Sequence, residues 1–536
     1  MGKESNAAGI FHWATLAAAL ALLNASLTFE NVWPTLAIKL NRQLSAEAAL
    51  CVLGLVLARR WLGPPSNRTL RALAVVWVLL VAGRYAEVTS RSLYGRDINL
   101  YWDVRLMPDV GAMFAFVLHP WLVAPVLAAG VAIPLLVYAP LRWSLGFVNR
   151  AAAEARGRRV LAVMAGAVLL LSVVQRIDGR VLPIATVADP VARVYAREAG
   201  ELVYELSGAG VRALPPPASI ASDLSRVHGA DVFVIFMESY GAVSWQRPEF
   251  IDALAPSRQD LDAAIRDTGR HVVSGLVEST TFGGESWLAH LTLLSGTEVR
   301  DQDTTVRLMA QQRDTMVKVF GRGGYRTVAI MPGIQRNWPE GAFYGFDKIY
   351  GAFELDYQGP PFGWWDITDQ FALAKIDALE VAQQPRAPLF VVFPTISTHA
   401  PFTPAPPYQP DWTRMLTAKP HDDEELDVAW NDQPDWLNLS PSYVKAMIYA
   451  NATIGGYLRL RGDRDLVVVL IGDHQPPALV SGEGASWDVP VHVITGRRAV
   501  LDRLQQHGFR EGLPPHQPRL GKLSALTPIL LDAFGD

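Results

Sequence analysis

Apolar positions are spread unevenly along this chain. Up to about Gln175 they form long stretches interrupted by short arginine-bearing breaks. Beyond that point they form runs of five to seven residues, set among segments rich in Asp, Gly, Pro and Trp. Five early stretches approach the roughly 20 apolar residues that a membrane-crossing helix needs: Ile10–Phe29, Ala46–Trp61, Leu70–Thr89, Met113–Tyr138 and Arg159–Val174. The second and fifth are short, with terminal arginines long enough to reach the interface. The first reads as a span, not a cleaved leader, because no small-x-small site follows it and further apolar stretches do.

Arginine placement gives an orientation. The break between the second and third stretches holds Arg59, Arg60, Arg68 and Arg71 without an acid, and that between the fourth and fifth holds Arg142, Arg150, Arg156, Arg158 and Arg159 against Glu154 alone. The positive-inside rule places both in the cytoplasm and the remainder of the chain on the opposite side. The segment Tyr85–Val110 mixes acids, arginines and aromatics. It reads either as an aromatic belt anchored by Tyr101 and Trp102, or as a collar that docks the globular part or guides a lipid head group.

A connector follows from Asp178 to about His228. Its Val191–Leu206 stretch has helical spacing after Asp189-Pro190, and Pro215, Pro216 and Pro217 resist regular structure. From Asp231 onward, six apolar runs predict strands: Asp231–Met237, Val272–Val277, Thr327–Met331, Pro388–Phe393, Asp465–Ile471 and Pro490–Thr495. Continuous apolar strands suit a sheet covered on both faces. The expected organisation is an all-α membrane bundle (1–177), a linker (178–229) and an α/β domain with a mostly parallel central sheet (230–536).

Composition narrows the functional classes. Half of the 536 residues are hydrophobic, and the mean hydropathy is +0.16, between a soluble protein and a pure membrane bundle. The formal charge of −4 offers no basic face for nucleic acid. Cys51 is the only cysteine, so no disulfide forms within the chain and the globular half depends on its own core.

Polar residues gather where an α/β sheet places its sites, at strand carboxyl ends. The first run ends in Glu238 (FMESYG), the fifth in Asp473-His474 (LIGDHQPP), and the fourth leads to His399 (PTISTHAPF). Ser286 follows a Gly-Gly pair at the head of an apolar helical run, in TTFGGESWLAHLTLLSG. Each has an ordinary explanation alone: an acid at a strand end caps helices, a lone His packs, and Ser is a favoured helix N-cap. Together, two carboxylates, an imidazole and a hydroxyl form a donor set for a divalent cation that activates an alcohol. Mid-strand His492 reads as a packed core histidine. The acidic run Asp422–Glu425 with Asp427 reads as a solvated loop, and Trp364 and Trp365 suit either the core or the lining of a pocket.

These motifs resemble the alkaline phosphatase/sulfatase superfamily and, within it, the lipoteichoic acid synthase-like phosphoglycerol transferases. In sulfatases the helix opened by the nucleophile ends in Leu-Leu-Thr-Gly or similar, ten residues on. Here Leu293-Leu294-Ser295-Gly296 ends ten residues after Ser286, which favours Ser286 over Ser279, Thr280 and Thr281. The resemblance implies Glu238, Asp473, His474 and Ser286 as metal ligands, with Ser286 also the nucleophile. It implies His399 as a substrate-contacting and proton-exchanging residue, and Trp338 as part of a head-group pocket. The cation would be one Mn²⁺ or Mg²⁺, with Zn²⁺ compatible because a His is present. The synthase's nucleophile is Thr, and Ser286 replaces it with another alcohol. Its pocket Arg after the Trp is absent, since Pro339 and Glu340 stand there; Arg336, two residues before Trp338, is the cation available in its place. Where sulfatases carry an Arg four residues after the nucleophile, this chain has His290, and the resemblance implies His290 and Arg336 as substrate-binding residues beside His399 and Trp338.

What the resemblance implies is an integral protein of a bacterial inner membrane with its catalytic domain facing the periplasm or exterior. That domain would move the head group of a phospholipid, phosphoglycerol in preference to phosphoethanolamine, onto a glycan or lipid-linked acceptor through a phospho-Ser286 ester. Phosphoethanolamine transferases of the superfamily usually carry several disulfides, which this chain cannot form. Two other readings stand beside it: a phosphodiesterase or sulfatase-like hydrolase of the same fold, and an inactive lipid-sensing relative.

Overall fold

The computed structural model describes residues 2–32, 35–94, 97–117, 120–178, 186–207, 213–214 and 220–536. The chain forms two compact units, Met1–Ser92 with Arg96–Val211, and Leu93–Gly95 with Arg212–Asp536. Pro215, Pro216 and Pro217 lie outside the described residues.

The first unit is helical: α1 Gly2–Thr28, α2 Ala46–Trp61, α3 Asn67–Tyr94, α4 Leu100–Val117, α5 Pro120–Ala151, α6 Ala155–Asp178 and α7 Ala192–Ser207. Among the described residues, four segments are long and apolar enough to cross a membrane: Ile10–Thr28, Asn67–Ser92, Leu127–Ala151 and Ala155–Ile177. The expected second span is a helix with the bounds read from sequence, but 16 residues rise only about 24 Å, short of a hydrocarbon core of about 30 Å. The expected fourth span, Met113–Tyr138, crosses from α4 into α5, with residues 118 and 119 outside the described set. Among the described residues of α5, the apolar stretch is Leu127–Ala151, which overlaps the expected span. Leu16, Leu23 and Leu27 of α1, Val52 and Leu55 of α2, Leu145 and Val148 of α5 and Leu161 of α6 form one buried cluster.

The connector helix is part of this unit. The Trp102 indole N–H donates to Glu205 Oε1 at 2.7 Å, and the Leu100 amide donates to Glu198 Oε2 at 2.7 Å, fastening α7 to α4. Most of Tyr85–Val110 is thus helical, and Trp102 has a polar partner inside its own unit.

The second unit is built on nine strands: β1 Asp231–Met237, β2 His271–Glu278, β3 Arg326–Ile330, β4 Lys348–Tyr350, β5 Leu389–Pro394, β6 Leu466–Gly472, β7 Asp488–Thr495, β8 Arg510–Glu511 and β9 Gly521–Lys522. The order is β8-β2-β7-β6-β1-β5-β3-β4, with β9 beside β2. Strands β6, β1, β5, β3 and β4 are mutually parallel, whereas β7 runs antiparallel to both β6 and β2. The period of two along a strand divides β1 between two cores. Val232, Val234 and Phe236 join one with the helix Ser286–Ser295, and Phe233, Ile235 and Met237 join the other with the helices Pro248–Asp267 and Ser440–Leu460. Burial on both faces is why these strands are continuously apolar. At the amino end of β1, Asp231 takes a two-pronged contact from Arg386, at 2.7 and 2.6 Å, and accepts the Leu389 amide at 2.9 Å. That contact fixes the β1–β5 register.

His492 on β7 is a core residue, as its mid-strand place predicts. Nε2 lies 2.9 Å from the Tyr240 hydroxyl and Nδ1 2.7 Å from Ser274 Oγ. Burial, helped by the charge of Arg258, lowers its pKa from 6.5 to about 3. A histidine whose folded value is depressed stabilises the fold fully above its unfolded value, and that stabilisation is lost as pH falls towards the folded one. Acid denaturation of the full-length protein in detergent, between about 6.5 and about 3, is therefore expected to be steeper than that of His492→Gln. The difference approaches one proton, about 1.4 kcal/mol per pH unit; parallel curves would refute the assignment.

Candidate active site

Strands β1, β5 and β6 end on one rim of the sheet, and each delivers polar residues there. Glu238 follows β1, Asp473 and His474 follow β6, and the loop Thr395–His399 follows β5. The rim is tightly laced. A side chain at Gly472 would place its Cβ 1.9 Å from the Tyr240 carbonyl oxygen, so only glycine lets the two strand ends approach this closely. Ser279 Oγ donates to the Asp473 carbonyl, the Ser279 amide donates to Trp487 O at 2.9 Å, and the Gly283 amide donates to Gln475 O at 3.1 Å. These contacts bring the loop after β2 across to the end of β6.

That loop sets the position of Ser286. Gly283 and Gly284 have φ of 70° and 153°, and Glu285 follows at φ 60°, a run of left-handed conformations that the Gly-Gly pair makes accessible. Helix Ser286–Ser295 then begins at Ser286 itself. Glu285 holds the cap position, with no capping hydrogen bond from its side chain. Ser286 is not an N-cap, so its hydroxyl is left for other partners. Oγ lies 2.7 Å from Glu238 Oε2 and 3.1 Å from His474 Nε2.

The four side chains named from the sequence therefore converge. His474 Nε2 is 3.2 Å from Glu238 Oε1 and 3.8 Å from Asp473 Oδ1, and donor atoms of Glu238, Asp473 and His474 all lie within 4.8 Å of one another. All three residues are buried. Burial lowers the His474 pKa, but the charges of Asp473 and Glu238 more than reverse this and raise it to about 9. Burial raises Glu238, and His474 more than offsets this, holding it below the usual carboxylate range. Asp473 is raised, by burial and then by Glu238. Such a pair strongly attracts positive charge.

A divalent cation fits this donor set. Two carboxylates would neutralise it, and an imidazole supplies nitrogen. His474 Nδ1 sits 2.7 Å from the Gln475 carbonyl. A carbonyl only accepts, so Nδ1 carries the proton and Nε2 faces the cluster, the orientation expected of a ligating histidine. Asp473 Oδ2 is buried with no hydrogen-bond partner, an uncompensated cost unless a cation or another donor meets it.

The other predicted residues are placed as follows. His399 Nδ1 donates to Ala400 O at 2.7 Å, and its ring meets Trp365 edge-on with centroids 4.8 Å apart. Trp364, Trp365 and Phe362 line a recess with His399. Trp338 is half-buried, its ring 5.6 Å from that of Tyr344, and Arg336 is exposed. His290, one turn after Ser286, points at Asp473, with Nε2 3.8 Å from Oδ2. Asp422 and Glu425 open the helix Asp423–Trp430, the Asp422 amide donating to Glu425 Oε2 at 3.1 Å.

Sequence reasoning missed the residues that hold the rim. Thr395 Oγ1 accepts the Glu238 amide at 3.0 Å, and Thr398 Oγ1 donates to the Glu238 carbonyl at 2.7 Å. Ser239, itself at φ 57°, gives its amide to Asp473 Oδ1 at 2.9 Å. Asp369 is buried and accepts the Ile396 and Ser397 amides at 2.8 and 3.0 Å; burial raises its pKa to about 6. The Thr-Ile-Ser-Thr run before His399 was the available signal for the β5 loop. Nothing local marked Asp369.

A family model described as Sulfatase matches residues 279–493, a segment that contains Ser286, His399, Asp473 and His474 and begins after Glu238. No curated protein matches the sequence. Among solved structures, the chain is similar to the lipoteichoic acid synthase LtaP from Listeria monocytogenes, with 14% identity, 63% of this chain and 80% of that one covered, and a TM-score of 0.39. It is similar to the integral membrane lipooligosaccharide phosphoethanolamine transferase EptA from Neisseria meningitidis, with 12% identity, 91% and 87% coverage, and a TM-score of 0.46. It is also similar to the phosphoglycerol transferase GacH from Streptococcus pyogenes, solved with sn-glycerol-1-phosphate, with 14% identity, 53% and 77% coverage, and a TM-score of 0.34. The matched segment takes in β3 to β6, most of β7 and most of the rim, so the second unit contains a sulfatase-family segment.

Proposed function

We propose that this protein transfers the head group of a membrane phospholipid, phosphoglycerol in preference to phosphoethanolamine, to an extracytoplasmic glycan or lipid-linked acceptor. The observation that carries this reading is the position of Ser286 Oγ, 2.7 Å from Glu238 Oε2 and 3.1 Å from His474 Nε2. The hydroxyl is a fourth donor to the same cluster, not a helix cap. Glu238, Asp473, His474 and Ser286 would hold one divalent cation, Mn²⁺ or Mg²⁺ by the carboxylate content, with Zn²⁺ compatible through His474. When bound, it supplies Lewis-acid charge that lowers the pKa of the Ser286 hydroxyl and stabilises the phosphoryl oxygens.

The rest falls to the protein's own groups. Ser286 gives up its proton toward Glu238 Oε2, and Oγ attacks the lipid phosphorus. A P–O bond to Ser286 forms as the P–O bond to diacylglycerol breaks, and His399 Nε2 protonates the departing oxygen. The helix beginning at Ser286 presents its positive end to the phosphoryl group. An acceptor hydroxyl then attacks the phospho-Ser286 ester, losing its proton to His399, and Ser286 Oγ leaves and regains its own. The recess beside Trp365 and His399 suits the glycerol portion. Four helices fit to cross a bilayer suit a lipid donor. Counting α2 as a short fifth crossing puts its terminal Arg59 and Arg60 in the cytoplasm and the catalytic unit on the other side, as for a multi-pass protein of a bacterial inner membrane.

Two outcomes are expected. Mass spectrometry of the purified full-length protein after incubation with mixed phospholipids should find a head-group phosphate on the Ser286 peptide. Ser286→Ala should lack the adduct and lose about 10³-fold or more in turnover. Release of free head-group phosphate with no acceptor modified would instead establish a hydrolase. Separately, chelation should abolish turnover and lower thermal stability. Adding back Mn²⁺ at about 100 times its dissociation constant should restore both, with about 2.7 kcal/mol of stabilisation; a stability indifferent to chelator would sink the metal assignment.

A further inference from the structure

Helix Ser286–Ser295 carries a second side chain to the rim. His290 lies one turn after Ser286, its side chain only 15% exposed and its ring tilted against Phe236 with centroids 4.4 Å apart. Nε2 is buried and has no hydrogen-bond partner, and the same is true of Asp473 Oδ2. These two unsatisfied atoms face each other at 3.8 Å. That is longer than a hydrogen bond, yet short enough to close by a small ring movement or through one water. Each orphan carries an uncompensated desolvation cost, so the donor of one is the natural partner of the acceptor of the other. The opposite oxygen, Asp473 Oδ1, is already engaged by the amides of Ser239 and His474, at 2.9 and 2.6 Å.

We propose that His290 is a positioning residue for Asp473. Its Nε2–H holds Oδ2, fixing how the carboxylate is presented to a cation shared with Glu238 and His474. This places it directly beside Asp473, with Nε2 3.8 Å from Oδ2. One helix thereby carries both the nucleophile, at its first residue, and the support of a ligand one turn later, so Ser286 and Asp473 are kept in mutual register. The inference rests on the reading that Glu238, Asp473, His474 and Ser286 bind a divalent cation.

The test is a Mn²⁺ titration of metal-stripped, full-length protein in detergent, reading affinity and stoichiometry, with the melting temperature of the metal-free form measured in parallel. His290→Phe keeps the packing on Phe236 and removes the donor. It is expected to weaken Mn²⁺ binding about 10–100-fold, the usual effect of losing a group that orients a ligand, with little change in the metal-free melting temperature. His290→Gln keeps a donor and should recover most of the affinity. Unchanged affinity in His290→Phe would overturn the proposal, as would a melting-temperature loss without an affinity loss. A wild-type stoichiometry of two ions falling to one would also overturn it, because His290 would then be a ligand. Failure of the wild type to bind Mn²⁺ at all would overturn the metal site itself, a different result from any of these.

Discussion

The second unit is organised around an electrostatic demand. Two carboxylates brought within a few ångströms in a buried pocket repel each other and lose their hydration, and only positive charge makes the arrangement favourable. Here that charge is drawn to a point bounded by Glu238, Asp473 and His474, whose donor atoms fall within 4.8 Å of one another. The raised proton affinity of His474 in a place where burial alone would lower it registers the strength of that field. Ser286 sits where the field acts, with Oγ 2.7 Å from Glu238 Oε2.

Holding like charges together requires a stiff frame, and the sheet supplies it. Three parallel strands end side by side, and the segments that follow them are bound to one another more than to solvent. Thr395 and Thr398 clasp the backbone of Glu238 from the β5 loop, Ser239 clasps Asp473, and Asp369 clasps the β5 loop in turn. Glu238 and Asp473 are therefore each oriented by a neighbour delivered from a different strand. At the far end of β1, the Arg386–Asp231 pair fixes the register that makes those ends level.

Much of this was legible in the residues. The six apolar runs form strands because burial on both faces demands continuous hydrophobicity, a pattern visible without any partner. The acids and histidines at their carboxyl ends were conspicuous because they interrupt apolar sequence. The supporting residues were not legible: Thr395, Thr398, Ser239 and Asp369 are ordinary polar residues whose role exists only once distant loops meet. Ser286 was ambiguous for a related reason. A serine heading a helix looks like a cap, and only the left-handed Glu285 before it shows that the cap position lies one residue earlier. In the first unit, the bounds of α2 could be read but not whether about 24 Å of helix is enough to cross.

The helix that starts at Ser286 begins without a side chain to close its first turn. In most helices a serine, threonine or aspartate occupies those leading amides permanently. Here no side chain does so, and in the proposed reaction an anionic group arriving at Ser286 would meet the first amides of the helix as it binds. Each departure would undo that contact, so the proposed reaction makes the firmness of this turn depend on occupancy, and hydrogen exchange at Ser286 and Trp287 a local gauge of whether the site is filled.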